Sequence, residues 1–188
     1  MQFAKDSFLL ALQQRLAALN PARTVTIGGA TVPAVVAIEN LPPTASQPQP
    51  NAFYVQWGTA NVVDGHAGGS ALMSVACVIS YYTLGTVESM VDRGRVLGQL
   101  DNELLSICQP PYTEKIDYSQ APSVDQGTSV SWSQPLFQEA TTAGVEDNLV
   151  SYQSRGLKRV MYEQAYQDGR VERRAQLTVF FFSEVTLS

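Results

Sequence analysis

Residues 70–107, SALMSVACVISYYTLGTVESMVDRGRVLGQLDNELLSI, constrain the fold of this chain more than any other stretch. Side chains alternate across a strand, so Met73, Val75, Cys77, Ile79 and Tyr81 share one face, with Leu72, Ser74, Ala76, Val78, Ser80 and Tyr82 on the other. Both sets are apolar or small, the pattern of an interior strand covered fully on one side and in part on the other. At Leu84-Gly85-Thr86 the period changes from that of a strand to that of a helix. Thr86 takes the N-cap position, and Glu88 falls in the first turn, where the helix dipole favours an acid. Met90, Leu97, Leu100, Leu104 and Ile107 then make one apolar stripe down to Gln109-Pro110-Pro111. A long interior strand needs neighbours, and the helix after it needs a sheet to cover.

The neighbours are legible elsewhere. Residues 4–19 place Phe8, Leu9, Leu12, Leu16 and Leu19 on one helical stripe, and Asn20-Pro21 ends it because a residue before proline leaves the α region. Val25 and Ile27 begin a strand, Gly28-Gly29 turns it, and Val32 to Ile38 resumes it, with Pro33 restricted to a strand start or edge. Residues 41–51 hold four prolines and read as an extended exposed loop. FYVQWG (53–58) is a strand that continues through NVVD to Gly65. At the far end, residues 157–185 read as two long strands joined at Asp168-Gly169, although 149–166 also suits a helix.

Between the central helix and that hairpin, residues 109–147 lose periodicity. Nearly forty residues without clear elements are unusual in a compact domain, so an inserted arm or long loop is expected, VSW (130–132) being a short strand within it. Tyr112, Tyr118, Trp132 and Phe137 give this arm aromatic groups that a solvated linker has no use for, and Trp132 and Phe137 join the candidates for a subunit interface. At 188 residues the chain is long enough for one domain with its own core, residues 1–188. The fold class is α+β: a mainly antiparallel sheet flanked by an N-terminal and a central helix, with long loop or arm insertions.

Charge narrows the function. The net charge is −5, which argues against a general nucleic-acid binder. Charged residues make up only 15% of the chain, fewer than usual for a protein whose surface faces water alone. Arg155, Lys158, Arg159, Arg170, Arg173 and Arg174 form half of the basic complement, opposed within that segment by Glu163, Asp168 and Glu172. The segment reads either as a solvated hairpin face or as one half of a charge-complementary subunit interface.

Catalytic patterns are sparse, and no enzyme activity is expected. His66, the one histidine, lies in DGHAGGS beside Asp64 and Ser70, and a triad needs a strained nucleophile and an oriented third member. One histidine and two distant cysteines, Cys77 and Cys108, do not make a zinc site, and the cysteines read as reduced, buried thiols. GHAGGS lacks the Lys-Ser/Thr ending of a phosphate loop. Asp101 and Glu103 lie two apart on the central helix and face different ways. Trp57, Tyr81 and Tyr82 lack the positive groove that accompanies base-stacking platforms. Gly94 and Gly98 read as a small patch for close packing. No metal or cofactor is expected. MQFAKDSFLLALQQRL has no signal-peptide pattern and no window is apolar enough to span a bilayer, so the expected location is cytosolic, away from the membrane.

The order of elements carries a resemblance. An amphipathic N-terminal helix, PAVVAIEN, FYVQWG, SALMSVACVISYYT, the helix MVDRGRVLGQLDNELLSI with its Arg93-Gly94-Arg95 step, a variable insertion and LTVFFFSEV together resemble the tail terminator and tail-completion proteins of long-tailed bacteriophages. The similarity covers residues 4–108 and 175–186. It implies a virion protein of the phage neck, assembled in the host cytoplasm as a hexameric ring. Such a ring caps the tail tube, meets the head-completion or connector proteins, touches the sheath in contractile tails, and lets DNA pass through its lumen without specific binding. The long 41–51 and 109–147 insertions depart from the pattern. A head–tail joining, collar or baseplate adaptor is the alternative structural role, and a small hydrolase using His66 the enzymatic one.

Overall fold

A computed structural model describes residues 1–42, 48–64, 71–84, 91–109, 130–141 and 171–182. In chain order these hold helix α1 (Gln2–Leu19) and strands β1 (Thr24–Ile27), β2 (Ala30–Pro33) and β3 (Val35–Ala37), followed by a 3-10 turn at Ile38–Asn40. Strands β4 (Phe53–Asp64) and β5 (Leu72–Thr83), helix α2 (Asp92–Ile107), and strands β6 (Val130–Trp132), β7 (Leu136–Thr141) and β8 (Val171–Phe182) complete them. The architecture is α+β, two helices with a curled, mostly antiparallel sheet.

β5 is the interior strand that its alternation requires. It pairs antiparallel with β4 on one side and along its whole length with β8 on the other, from Leu72 opposite Phe182 to Thr83 opposite Val171. Its odd-numbered residues Val75, Cys77, Ile79 and Tyr81 are buried, together with Ala175, Leu177, Val179 and Phe181 of β8. This is the face that the helices cover. α1 contributes Phe8, Leu12 and Leu16, and α2 contributes Leu97, Leu100, Leu104 and Ile107, all fully buried. Each such side chain stabilises the fold by about 1.5–3 kcal/mol relative to exposure. Small Ala4 and Ala11 on the same side of α1 let Phe8 reach in, where its ring meets Trp57 and Trp132 edge-on at 5.6 and 5.1 Å. Leu19, expected on this stripe, is instead 50% exposed where the last turn of α1 overruns the core.

Three expectations change. The segment from Val32 to Ile38 is not one strand but two that belong to different sheets. β2 ends at Pro33, opposite Thr24 of a separate two-stranded sheet, because proline has no N–H to continue the ladder. Ala34 makes the switch: its N–H donates to Arg23 O at 3.0 Å, and its carbonyl accepts from Phe53 N at 2.8 Å. β3 then runs parallel to β4, the one parallel pairing among the described strands. Second, residues 109–147 hold a further strand, β7, besides the one expected at 130–132 (β6), and both pair antiparallel with β8. Third, Gly94 and Gly98 support no close packing among the described residues, where a Cβ at either position would meet nothing within 4 Å. Thr86, Met90 and the 157–170 arm of the terminal hairpin lie outside the described residues.

Two features shape the sheet. Gly28 and Gly29 both take positive φ, 57° and 84°, the requirement of a two-residue turn whose twist matches its strands. In β4 the register slips between Trp57 and Ala60, and such a bulge bends a strand and increases its twist. Gly58 sits there because a Cβ would stand only 3.2 Å from that of Ala76.

Candidate functional site

α2 distributes its acids to two separate structural networks. Glu103 receives Arg23 Nε at 2.8 Å and Nη2 at 2.9 Å, and Asn20 Nδ2 at 2.8 Å, which ties the end of α1 to α2. Asp101 accepts from the Tyr81 hydroxyl and from Arg173 Nη1, linking α2 to β5 and β8. The two carboxylates thus point to different partners, as their spacing of two residues requires. Arg15 serves the other end of α2. Its Nη1 donates to Ile107 O at 2.8 Å and also to Gln109 O, where the carbonyls left by the helix end favour a cation. The same guanidinium lies 5.0 Å from the centre of the Trp132 ring, whose Nε1 donates to Cys108 O at 2.7 Å. Sequence reasoning missed Arg15, and its position at the same height as the apolar stripe of α1 is the signal that was available.

The residues read as interface candidates divide three ways. Arg155, Lys158, Arg159 and Arg170 lie outside the described residues. Arg173 and Arg174 are on β8 and engaged within the chain: Arg173 with Asp101, and Arg174 Nε with Glu172 Oε1 at 3.2 Å. Trp132 is 5% exposed and part of the core, so it offers no surface to a neighbour; its indole sits between Phe8 and Arg15 because its N–H finds a carbonyl there. Phe137, at 38%, keeps an exposed ring, as does its neighbour Leu136 at 72%.

On the side of the sheet away from the helices, β4, β5, β7 and β8 curl around a groove of about 430 Å³. Gln56, Ser80, Gln138, Arg174 and Gln176 line it. Glu172, paired with Arg174, lines it as well, so the groove presents amides, a hydroxyl and one paired carboxylate that can hydrogen-bond to a polar surface.

The nucleophilic candidates are suppressed by their surroundings. Burial pushes the Cys108 thiol from its ordinary 9.0 up to about 12, against the opposing pull of Arg15. Burial raises Cys77 further, with Cys108 adding to the effect. Tyr81 is raised by burial first and then by its hydrogen bond to Asp101. A thiol so far above neutrality carries almost no thiolate. Both cysteines are free, as expected of small buried side chains. His66 and Ser70 lie outside the described residues. Among the described residues no group of three His, Cys, Asp or Glu is placed to hold a metal, and no helix is long and apolar enough to cross a membrane.

The chain matches no protein-family model, and no curated protein matches it. The sheet is braced on one face by two helices, and Val62, Val63, Leu136 and Phe137 expose apolar side chains along its margins.

Proposed function

We propose that this chain is a structural subunit of a phage neck, a tail terminator whose copies close into a ring, six in the family it resembles. The ring caps the tail tube, stops its growth, and offers its other side to the head-completion proteins. The observation that carries this reading is the fold class itself: the mainly antiparallel sheet with an N-terminal and a central helix is the architecture that the resemblance implies. Exposed apolar groups at the sheet margins, Val62, Val63, Leu136 and Phe137, suit a subunit whose surface is completed by neighbours. A closed ring requires a heterologous contact, one patch meeting a different patch on the next copy.

The sequence's other candidate for that contact is the basic segment, through Arg155, Lys158, Arg159 and Arg170. Arg173 and Arg174 are poor choices for testing it, because reversing them also breaks pairs inside the subunit. The decisive experiment is light scattering of the purified protein across concentration, followed by negative-stain electron microscopy with and without tail tubes. Rings that bind tube ends are the expected result. A monomer at every concentration, in the presence and absence of tubes, would overturn the proposal.

A further inference from the structure

We propose that neighbouring copies join edge to edge, residues 56–63 of β4 in one copy pairing antiparallel with the β6–β7 margin of the next. This rests on the ring reading and names its contact. β4 is twelve residues long, yet β3 pairs only with Phe53, Tyr54 and Val55. Beyond Val55, no strand among the described residues lies on the outer side of β4. At the opposite margin, β6 and β7 follow one another along β8, and neither has a second partner strand among the described residues.

Exposed edges of this kind are normally blunted by lysine, proline or an inward charge, since they recruit other strands. Residues 56–63, QWGTANVV, contain no charge and no proline, although the register of β4 slips at Trp57/Ala60 and Val62/Asp64 and the strand ends on Asp64. β6 and β7 together, residues 130–141, carry one charge, Glu139, and one proline, Pro135, which lies between the two strands. Both margins also carry adjacent exposed apolar residues: Val62 and Val63 at 63% and 52%, Leu136 and Phe137 at 72% and 38%. Leu136 and Phe137 lie opposite Gln176 and Ala175, so they flank both faces of their edge.

Direction and position select a second copy as the occupant. β4 is antiparallel to β5, β5 to β8, and β8 to β6 and β7. The two margins therefore run antiparallel to one another. When the sheet continues from one copy to the next around a ring, they meet in the more stable of the two pairing modes. They stand at opposite ends of one sheet, so each junction uses one of each and leaves one of each, the condition for a closed heterologous ring.

The test uses two full-length double variants, V62K with V63K and L136K with F137K, each checked for folding by circular dichroism and a cooperative melt. Mass photometry is expected to show oligomers for the wild type and loss of assembly for each variant alone. An equimolar mixture is expected to give dimers and nothing larger, because one intact β4 margin meets one intact β6–β7 margin and the other two are blocked. If both folded variants assemble like the wild type, this contact is wrong and the ring reading stands. If only the β4 variant loses assembly, the edges pair like with like and the proposal fails. A mixture of folded variants that stays monomeric also overturns it. A wild type that is monomeric throughout removes the ring reading together with this one.

Discussion

Tyr81, Cys77 and Cys108 are the groups whose surroundings most alter their chemistry, and all three shift the same way. Each holds its proton more tightly in the folded chain than in the unfolded one. Their contribution to stability is therefore complete below the ordinary pKa and is lost as pH climbs from there toward the folded value. For Cys108 that window runs from 9.0 to about 12, and for Tyr81 it opens at its ordinary 10.0. The midpoint of urea unfolding is expected to stay level from about pH 7 to 8.5 and to fall steadily from about pH 9 to 11. Tyr81→Phe should make the fall above about pH 10 shallower. A midpoint unchanged up to about pH 11 would show that these protons do not distinguish folded from unfolded chain. At this scale the sequence is informative wherever spacing alone decides the outcome. Asp101 and Glu103 separate as their positions demand, and Cys77 is buried as alternation demands. The partners of Arg15 and Trp132 were not legible, since they join residues 92 and 24 positions apart in the chain.

α2 departs from what local propensity favours. Its buried stripe of Leu97, Leu100, Leu104 and Ile107 was readable from its period, yet Gly94 and Gly98 interrupt the other side with nothing among the described residues packed against them. Each glycine in a helix interior costs roughly 1 kcal/mol relative to alanine. Gly98→Ala is therefore expected to stabilise the isolated subunit by roughly 0.5–1 kcal/mol, measured as a higher urea midpoint with unchanged slope, and Gly94→Ala, in the first turn of α2, by less. A loss of stability would mean that the glycines are held in contact within the subunit. The same contrast between period and pairing explains which elements the sequence disclosed. α1, β5, α2 and β8 each carry a long regular pattern and stand close to where it puts them. β3 is three residues long and β7 follows Pro135 without alternation. Both owe their strand conformation to partners, Phe53–Val55 for β3 and residues 172–176 of β8 for β7. A tertiary pairing of this kind leaves little trace in the local sequence.

At the scale of the molecule, the net charge of −5 is set against two sheet margins that carry little charge, Asp64 at the end of β4 and Glu139 in β7. In the proposed edge-paired ring, such margins would join copies with few ion pairs, which would leave the acidic surplus to act over the assembly as a whole. Multiplied around a ring, the surplus gives a negative field that repels duplex phosphates, and tight passage of DNA through such a ring has no counterion release to hold it. Assembled protein is accordingly expected to leave duplex DNA unretarded in a gel-shift measurement at about 50 mM salt, where electrostatic binding is strong for basic proteins. Retention that weakens steeply with added salt would place the basic 155–174 segment on the DNA-facing side and overturn the neutral-passage part of the reading. Retention insensitive to salt would point instead to contacts with bases, for which the amide-lined groove of Gln56, Gln138 and Gln176 is the place to look first. Edge pairing and DNA passage are separable in this way, because substitutions at Val62, Val63, Leu136 and Phe137 change assembly and leave every acidic residue in place.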